Sequence, residues 1–186
     1  MRLFVSSSFE PGFMETLADI SSFARSGADQ DAVKWVENHN FHLTYAFLGE
    51  LPESAVGKVV ESVDAAFEGR KAPHISLGDL GVFPSERDAR VIWLGVGEGA
   101  QALRDMAAGL SRELAARGLA AYENSFEPHI TLGRVKRALP GNFFRRVRAY
   151  LPGKSAVSEL SGAQVMQSEI CSQAPQYKAL YSKSFL

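Results

Sequence analysis

The sequence predicts an α+β protein in which antiparallel strands outnumber helices. About eight segments have strand-like patterns, and most are joined by short turns or return after a single helix. About four segments have helical periodicity, and strand and helix do not alternate regularly as they do around a parallel sheet. The chain of 186 residues is 46% hydrophobic, which is enough to form a core without disulfides. We therefore expect one domain over residues 1–186, built of two similar lobes.

Each strand is predicted from a run of apolar or alternating residues that turn residues bound. Gly49 ends the third of these runs, and a Pro-Ser-Glu-Arg-Asp turn joins the fourth to the fifth. The seventh run is predicted to be one continuous strand. The predicted strands are Arg2–Ser8, Lys34–Val36, Phe41–Gly49, His74–Phe83, Ala89–Val96, His129–Val135, Ser155–Gln167 and Gln176–Ser182.

The helices follow from apolar residues at helical spacing and from start and stop signals. Pro11 lies in the first turn of one helix, and Pro52-Glu53-Ser54 begins another. Gly118 ends the strongest amphipathic pattern. The predicted helices run from Pro11 to about Ala24, from Pro52 to Phe67, from Gln101 to Arg117 and from Asn142 to Tyr150.

Composition excludes several classes of protein. Cys171 is the only cysteine, so neither an internal disulfide nor a two-cysteine metal knuckle can form, and we expect it in a C-terminal strand or loop. No apolar run approaches the ~20 residues of a membrane span. Gly95 to Gly99 does not match a dinucleotide-binding fingerprint and is predicted to be a strand-to-helix turn. The chain is expected to be a soluble cytoplasmic protein.

The charge is uneven along the chain. Seven basic residues and no acidic residue lie between Pro128 and Ser158, although the net charge of the whole chain is −1. Such a stretch can steer an anionic partner, or it can be a solvated basic helix face. The sequence leaves these two interpretations open.

Two short segments repeat the pattern His-apolar-Thr-apolar, and glycine follows each one closely. They are His42 to Tyr45 and His129 to Leu132, and they lie 87 residues apart in two predicted strands. Residues i and i+2 of a strand point to the same face. Two such strands facing each other would line a cleft with two imidazoles and two hydroxyls. Arg134 is expected to share the face of His129 and Thr131.

This set of groups is suited to acid–base chemistry on a phosphate ester. Imidazole titrates near pH ~6.5, so one ring can accept a proton from water while the other donates to a leaving oxygen. Thr44 and Thr131 can donate hydrogen bonds to phosphate oxygens, and Arg134 can stabilise their charge. We predict His42 and His129 as catalytic residues, with Thr44, Thr131 and Arg134 binding the substrate.

Other interpretations of the histidines carry less weight. A zinc site is disfavoured because neither segment has an aspartate or glutamate at ligand spacing. His39 is expected in a surface turn. His74 begins a similar segment with serine in place of threonine, but a third copy has no role in a two-histidine mechanism.

The paired segments resemble the 2H phosphoesterase superfamily. Their flanks resemble the RNA 2′,3′-cyclic phosphodiesterases within it, also called 2′-5′ RNA ligases, over essentially the whole chain. The matching segments are Arg2–Val5, Phe41–Leu51, Gly81–Pro84, Ala89–Val96 and Phe126–Val135, with Leu160, Ser168, Tyr177 and Leu180 in the tail.

This resemblance implies two pseudo-symmetric α+β lobes with antiparallel sheets, outer helices and a cleft between them. It implies metal-independent hydrolysis of RNA 2′,3′-cyclic phosphate ends, for example on tRNA fragments, to 2′-phosphates by a monomer without a cofactor. By position, His42 is the proton donor, His129 the proton acceptor, Thr44 and Thr131 the phosphate ligands, and Arg134 a further phosphate-binding residue. Action on small cyclic nucleotides or 2′-5′ linkages, including ligation, and a non-catalytic RNA-binding module remain alternatives.

Overall fold

The computed structural model describes residues 1–120, 126–170 and 175–186. Four helices lie between strands in these residues, namely α1 (Pro11–Arg25), α2 (Val56–Phe67), α3 (Ala100–Ala116) and α4 (Phe143–Tyr150). The strands are β1 (Arg2–Ser7), β2 (Val33–Trp35), β3 (Leu43–Glu50), β4 (His74–Phe83), β5 (Val91–Val96), β6 (His129–Val135), β7 (Val157–Glu159), β8 (Gly162–Ile170) and β9 (Pro175–Ser184). The predicted α+β class is confirmed. No helix of the described residues is both long and apolar enough to cross a bilayer.

The strands form one curled sheet in the order β7-β4-β5-β6-β3-β1-β8-β9, and β2 pairs with β6. Every strand pair is antiparallel. Each half of the sheet carries two helices. Helices α2 and α3 pack on β3, β8 and β9, whereas α1 and α4 pack on β7 and β4. The halves are hydrogen-bonded to each other at one register pair, Leu43 with Ile130.

The helices cover only one face of the sheet. Leu43 and Ile130, at the junction of the two halves, are completely buried on that face. Tyr45 points to the same side, where its ring packs against Phe67 of α2. On the second half, Trp35 of β2 packs against Phe143 of α4 in the same manner. The opposite, concave face of the sheet therefore stays uncovered around the junction.

The structure contains the predicted elements with shifted boundaries in several of them; the helix predicted from Pro52, for example, begins at Val56 after a 3₁₀ turn over Glu53–Ala55. The segment Ser155–Gln167 holds two strands, because the chain turns at Leu160 and Ser161. Strand β7 then pairs with β4 at one edge of the sheet, and β8 pairs with β1 near the other. Residues Phe41 and His42 precede β3 instead of beginning it.

The glycine-rich segment before α3 is the predicted strand-to-helix turn. Gly99 has a φ of +81° at the N-cap of α3, and a Cβ there would lie 2.3 Å from the His74 carbonyl oxygen. Only glycine fits this turn without a shift. Cys171 lies outside the described residues, so its predicted place in a strand or loop is not tested.

Candidate active site

The two His-x-Thr segments lie side by side at the junction of the two halves. Because Leu43 pairs with Ile130 in an antiparallel register, His42 lies opposite Thr131, and Thr44 lies opposite His129. All four polar residues are half-buried on the concave face. The sequence predicts that these four residues line one cleft from two strands that face each other. In the structure they share one face, but β3 and β6 are neighbouring strands of a single sheet.

Each imidazole is held by the backbone carbonyl two residues before it. His42 Nδ1 lies 2.7 Å from the Asn40 oxygen, and His129 Nδ1 lies 2.8 Å from the Glu127 oxygen. A carbonyl oxygen can only accept, so Nδ1 carries the proton in both rings. In the neutral imidazole Nε2 then keeps its lone pair. Each ring can therefore accept a proton at Nε2, or donate one from it when protonated.

Aromatic rings fix the orientation of His42. The Phe4 ring lies 5.1 Å from the imidazole, centroid to centroid, and Tyr177 meets it edge-on at 5.4 Å. Phe4 and Tyr177 also contact each other at 5.1 Å. These contacts come from β1 and β9, so the hairpin of β8 and β9 contributes to the site. Asn40 in addition donates its side-chain N–H to the carbonyl of Pro175, 3.4 Å away.

Aromatic side chains from the other half of the sheet pack around His129 in a similar way. Phe83 meets it edge-on at 5.3 Å, and Trp93 lies 5.7 Å away. The sequence analysis missed Phe4, Phe83, Trp93 and Tyr177 as site residues. No spacing rule connects them, because they come from four strands that only the sheet register brings together.

Burial shifts the protonation of His42. Desolvation lowers the pKa of His42, the charge of His129 lowers it further, and the hydrogen bond to Asn40 acts in the opposite direction. The neutral imidazole is thus favoured at this position. The register of Leu43 with Ile130 places the two rings diagonally across the junction.

Arg134 reaches the concave face because β6 contains a bulge. Trp93 pairs with Thr131 and Ile92 with Gly133, so Leu132 is an extra residue on β6. Without it, strict alternation would place Arg134 on the face opposite His129. Burial raises the pKa of Tyr177, and the positive charge of Arg134 acts in the opposite direction.

The remaining two histidines, His39 and His74, are exposed. His39 is exposed in a 3₁₀ turn over Asn38–Asn40, and His74 is exposed with Nε2 3.1 Å from Glu159 Oε2. Within residues 1–120, 126–170 and 175–186, no group of three histidine, cysteine, aspartate or glutamate side chains could hold a metal ion.

Much of the basic stretch interacts within the protein. Arg148 pairs with Glu86, and the guanidinium of Arg146 lies 5.7 Å from the Phe23 ring centroid. Lys154 lies 2.7 Å from Asp19. Arg146 and Arg148 of helix α4 are therefore engaged in contacts within the protein, which reduces the positive charge that the helix offers to an anionic partner.

Comparison with known proteins identifies relatives over most of the chain. Residues 9–93 match the family described as LigT like Phosphoesterase. A protein of Aeropyrum pernix named RNA 2′,3′-cyclic phosphodiesterase is 36% identical over 152 residues, which are 80% of this chain and 84% of that protein. One of the same name from Archaeoglobus fulgidus is 31% identical over 181 residues, covering 97% of this chain and 98% of the relative.

Solved structures agree with this assignment at the level of the fold. A Thermus thermophilus protein superposes with a TM-score of 0.79 at 23% identity, covering 99% of this chain and 97% of that one. Escherichia coli LigT in complex with 3′-AMP gives 0.73 at 24% identity, over 99% and 97% of the chains. Together with the sequence relatives, these matches show that the chain belongs to the LigT-like phosphoesterase family of the 2H superfamily.

Proposed function

We propose that this protein hydrolyses the 2′,3′-cyclic phosphate end of RNA to a 2′-phosphate without a metal ion. The proposal rests on the arrangement of side chains at the junction of the two halves. Two imidazoles, each held at Nδ1 by a backbone carbonyl, lie diagonally across one antiparallel pair with a threonine opposite each. Relatives that carry the name RNA 2′,3′-cyclic phosphodiesterase support the substrate class.

The reaction needs one proton accepted and one donated. Water attacks phosphorus opposite O3′, and the P–O3′ bond breaks. Following the family resemblance, His129 Nε2 accepts the proton of the attacking water, and protonated His42 Nε2 donates its proton to O3′. The products are the 2′-phosphate monoester and a 3′-hydroxyl. Solvent exchange then returns both imidazoles to their starting forms. General acid and base groups each contribute about 10²–10⁴-fold.

Thr44, Thr131 and Arg134 would bind the phosphate oxygens. The hydroxyls lie next to the two imidazoles, and the arginine offers the planar, multiply donating group that binds phosphates well. Negative charge grows on these oxygens in the transition state, so donors fixed by the sheet stabilise it more than the ground state.

The donor role of His42 needs its protonated form, which burial disfavours. The negative charge of a bound phosphodiester acts in the opposite direction and favours the imidazolium. The two roles are separable with an analogue whose leaving oxygen is a phenolate, because such a group leaves without protonation. His42→Ala is then expected to lose much less activity on the analogue than His129→Ala does. A larger loss in His42→Ala than in His129→Ala would instead make His129 the proton donor and His42 the proton acceptor.

The wider setting of the reaction is part of the proposal. We expect one domain over residues 1–186, active as a monomer on RNA ends in the cytoplasm, with tRNA fragments among the substrates. Gel filtration with light scattering tests the monomer, and cell fractionation tests the location.

The direct experiment uses a short RNA with a 2′,3′-cyclic phosphate end in excess chelator. A 2′-phosphate product, identified by ³¹P NMR or by its mobility against both isomers, is the expected result. Intact RNA together with hydrolysis of a cyclic mononucleotide or a 2′-5′ dinucleotide would contradict the RNA substrate. Retention of the RNA without any product would indicate a binding protein.

A further inference from the structure

His129 needs a second constraint besides its hydrogen bond. Its Nδ1 lies 2.8 Å from the Glu127 oxygen, and a single contact of this kind leaves the ring free to turn about it. Phe83 and Trp93 limit that rotation, with ring centroids 5.3 and 5.7 Å from the imidazole. A proton acceptor must be held in a narrow range of positions, because a small displacement of a reacting group slows a reaction strongly. The residues that place these two rings therefore influence the chemistry.

The indole of Trp93 lies across strand β4, directly over Gly81. Gly81 pairs with Trp93, which pairs on its other side with Thr131 of β6. A Cβ at Gly81 would overlap three atoms of the indole, Cζ2, Cη2 and Cε2, and the nearest would be 2.1 Å away. The indole thus occupies the space that a side chain at residue 81 would fill.

The backbone of β4 does not itself require a glycine at residue 81. Gly81 is not among the glycines whose φ is positive. Glycine weakens the interior of a strand, and where it occurs there it often marks the close approach of another group. In β4 that group is the indole of Trp93. The glycine therefore serves the placement of a ring and not a turn of the chain.

Packing fixes the position of the indole. Within the described residues its Nε1–H is buried and has no hydrogen-bond partner, although the N–H of a buried indole usually has one. The Phe83 ring packs on it with centroids 4.8 Å apart, and Phe83 also meets His129 edge-on. An indole pushed off Gly81 moves toward β6 or into the cleft, and either displacement disturbs the rings of Phe83 and His129.

We propose that Gly81 is a positioning residue for His129. It admits the indole of Trp93 over β4, and Trp93 together with Phe83 then holds the imidazole in the orientation in which it transfers a proton. This inference rests on the proposed function and adds to it a role for β4 and β5. Gly81 and Trp93 act through His129 and transfer no proton themselves.

The first test measures kcat and KM of Gly81→Ala on adenosine 2′,3′-cyclic phosphate. The added Cβ displaces the indole, so kcat should fall about 10- to 100-fold while KM stays within about twofold. Trp93→Phe should relieve this effect, because phenylalanine lacks the outer indole atoms that lie over residue 81. In the Trp93→Phe background, Gly81→Ala should therefore lower kcat by less than about threefold. An equally large loss in both backgrounds would overturn the inference.

The second test does not depend on activity. In NMR spectra of the free protein, the imidazole Hε1 and Hδ2 signals of His129 should move in Gly81→Ala, while those of the exposed His39 and His74 should stay. Unchanged His129 signals in a variant with lowered kcat would overturn the positioning role. If Gly81→Ala does not fold, Trp93→Leu replaces it, since it removes the indole without crowding. It should lower kcat and move the same signals, and wild-type kcat in this variant would overturn the inference.

Gly95→Ala is the matched control, because Gly95 lies on β5 and faces the same indole. A Cβ there would lie 3.4 Å from Trp93 Cζ3, which is an ordinary contact distance, so the indole keeps its place. This variant should keep kcat within about twofold. A loss as large as that of Gly81→Ala would contradict the role of crowding at the indole while the proposed function stands. Failure of the wild-type protein to hydrolyse either RNA or a cyclic nucleotide would instead overturn the proposed function and this inference with it.

Discussion

Replacing each of the two threonines by valine measures how much the phosphate-binding hydroxyls contribute. Thr44 and Thr131 are half-buried on the concave face, each opposite an imidazole of the neighbouring strand. Among the described residues neither hydroxyl makes a side-chain hydrogen bond, so a substrate oxygen would be its main partner. Valine keeps the β-branched shape that suits a strand, and it removes only the hydrogen-bonding group.

A hydrogen bond to a charged group contributes about 1.5–3 kcal/mol, which corresponds to roughly 10- to 150-fold in a rate or binding constant. We expect each variant to lose kcat/KM on a nucleoside 2′,3′-cyclic phosphate within this range. The double variant should lose less than the product of the single effects, because both hydroxyls bind one phosphate. The assay is product release in excess chelator, with thermal denaturation as the control for folding. Losses below twofold in both single variants would refute the assigned binding role.

Three further predictions concern pH, stability and RNA binding. Burial lowers the pKa of His42 in the folded protein, so the unfolded chain binds more protons once the pH falls below about 6.5. The free energy of unfolding should therefore decrease from about pH 7.5 to 5.5 more steeply in the wild type than in His42→Phe. Equal pH dependence of the unfolding free energy in the two proteins, measured by denaturant titration, would contradict the lowered pKa. Tyr45→Phe removes the 3.0 Å hydrogen bond with Ser7 Oγ and should lower the free energy of unfolding by about 1 kcal/mol. The value of kcat/KM should stay unchanged, because this buried side chain lies on the helix-covered face of the sheet. A large loss of activity would be inconsistent with that placement. Arg134→Gln should reduce the salt dependence of oligonucleotide binding by a log–log slope of about 0.7, whereas Lys58→Gln, an exposed cation on α2, should not change it; equal slopes in the two variants would contradict a phosphate contact by Arg134.

The sequence predicts the strand that carries the second histidine from end to end, because β6 is bounded by clear signals. Pro128 precedes it, and apolar residues alternate with polar ones along it. The strand predicted to begin at Phe41 begins at Leu43, one residue after the first histidine, and a 3₁₀ turn over Asn38–Asn40 lies shortly before it. Local patterns of this kind identify strands well but do not determine which strands are neighbours.

The strand register decides on which face of the sheet Arg134 lies. The sequence predicts Arg134 on the face of His129, although five residues separate the two and simple alternation over that distance leads to the opposite face. Arg134 reaches the expected face only because of the bulge at Leu132, which is seen in the pairing with β5. The same holds for Phe47, whose place beside Phe4 follows from the bulge at Tyr45. Aromatic neighbours from distant strands could not be predicted from sequence for the same reason.

The aromatic rings around His42 come from strands that are distant in sequence. Phe4, Phe47 and Tyr177 lie in β1, β3 and β9, so no short motif contains them. The register of β1 with β3 and the contacts of β9 assemble them into one surface. Long-range pairing thus creates the part of the site that local patterns cannot indicate.

Turnover by His42→Ala and His129→Ala tests the central claim most directly. Both variants should be folded, with thermal transitions near that of the wild type, and both should bind a 2′-phosphate product. On RNA with a 2′,3′-cyclic phosphate end, in excess chelator, each should lose about 10²-fold or more in kcat. Near wild-type turnover in either folded variant would contradict a mechanism in which both imidazoles transfer protons.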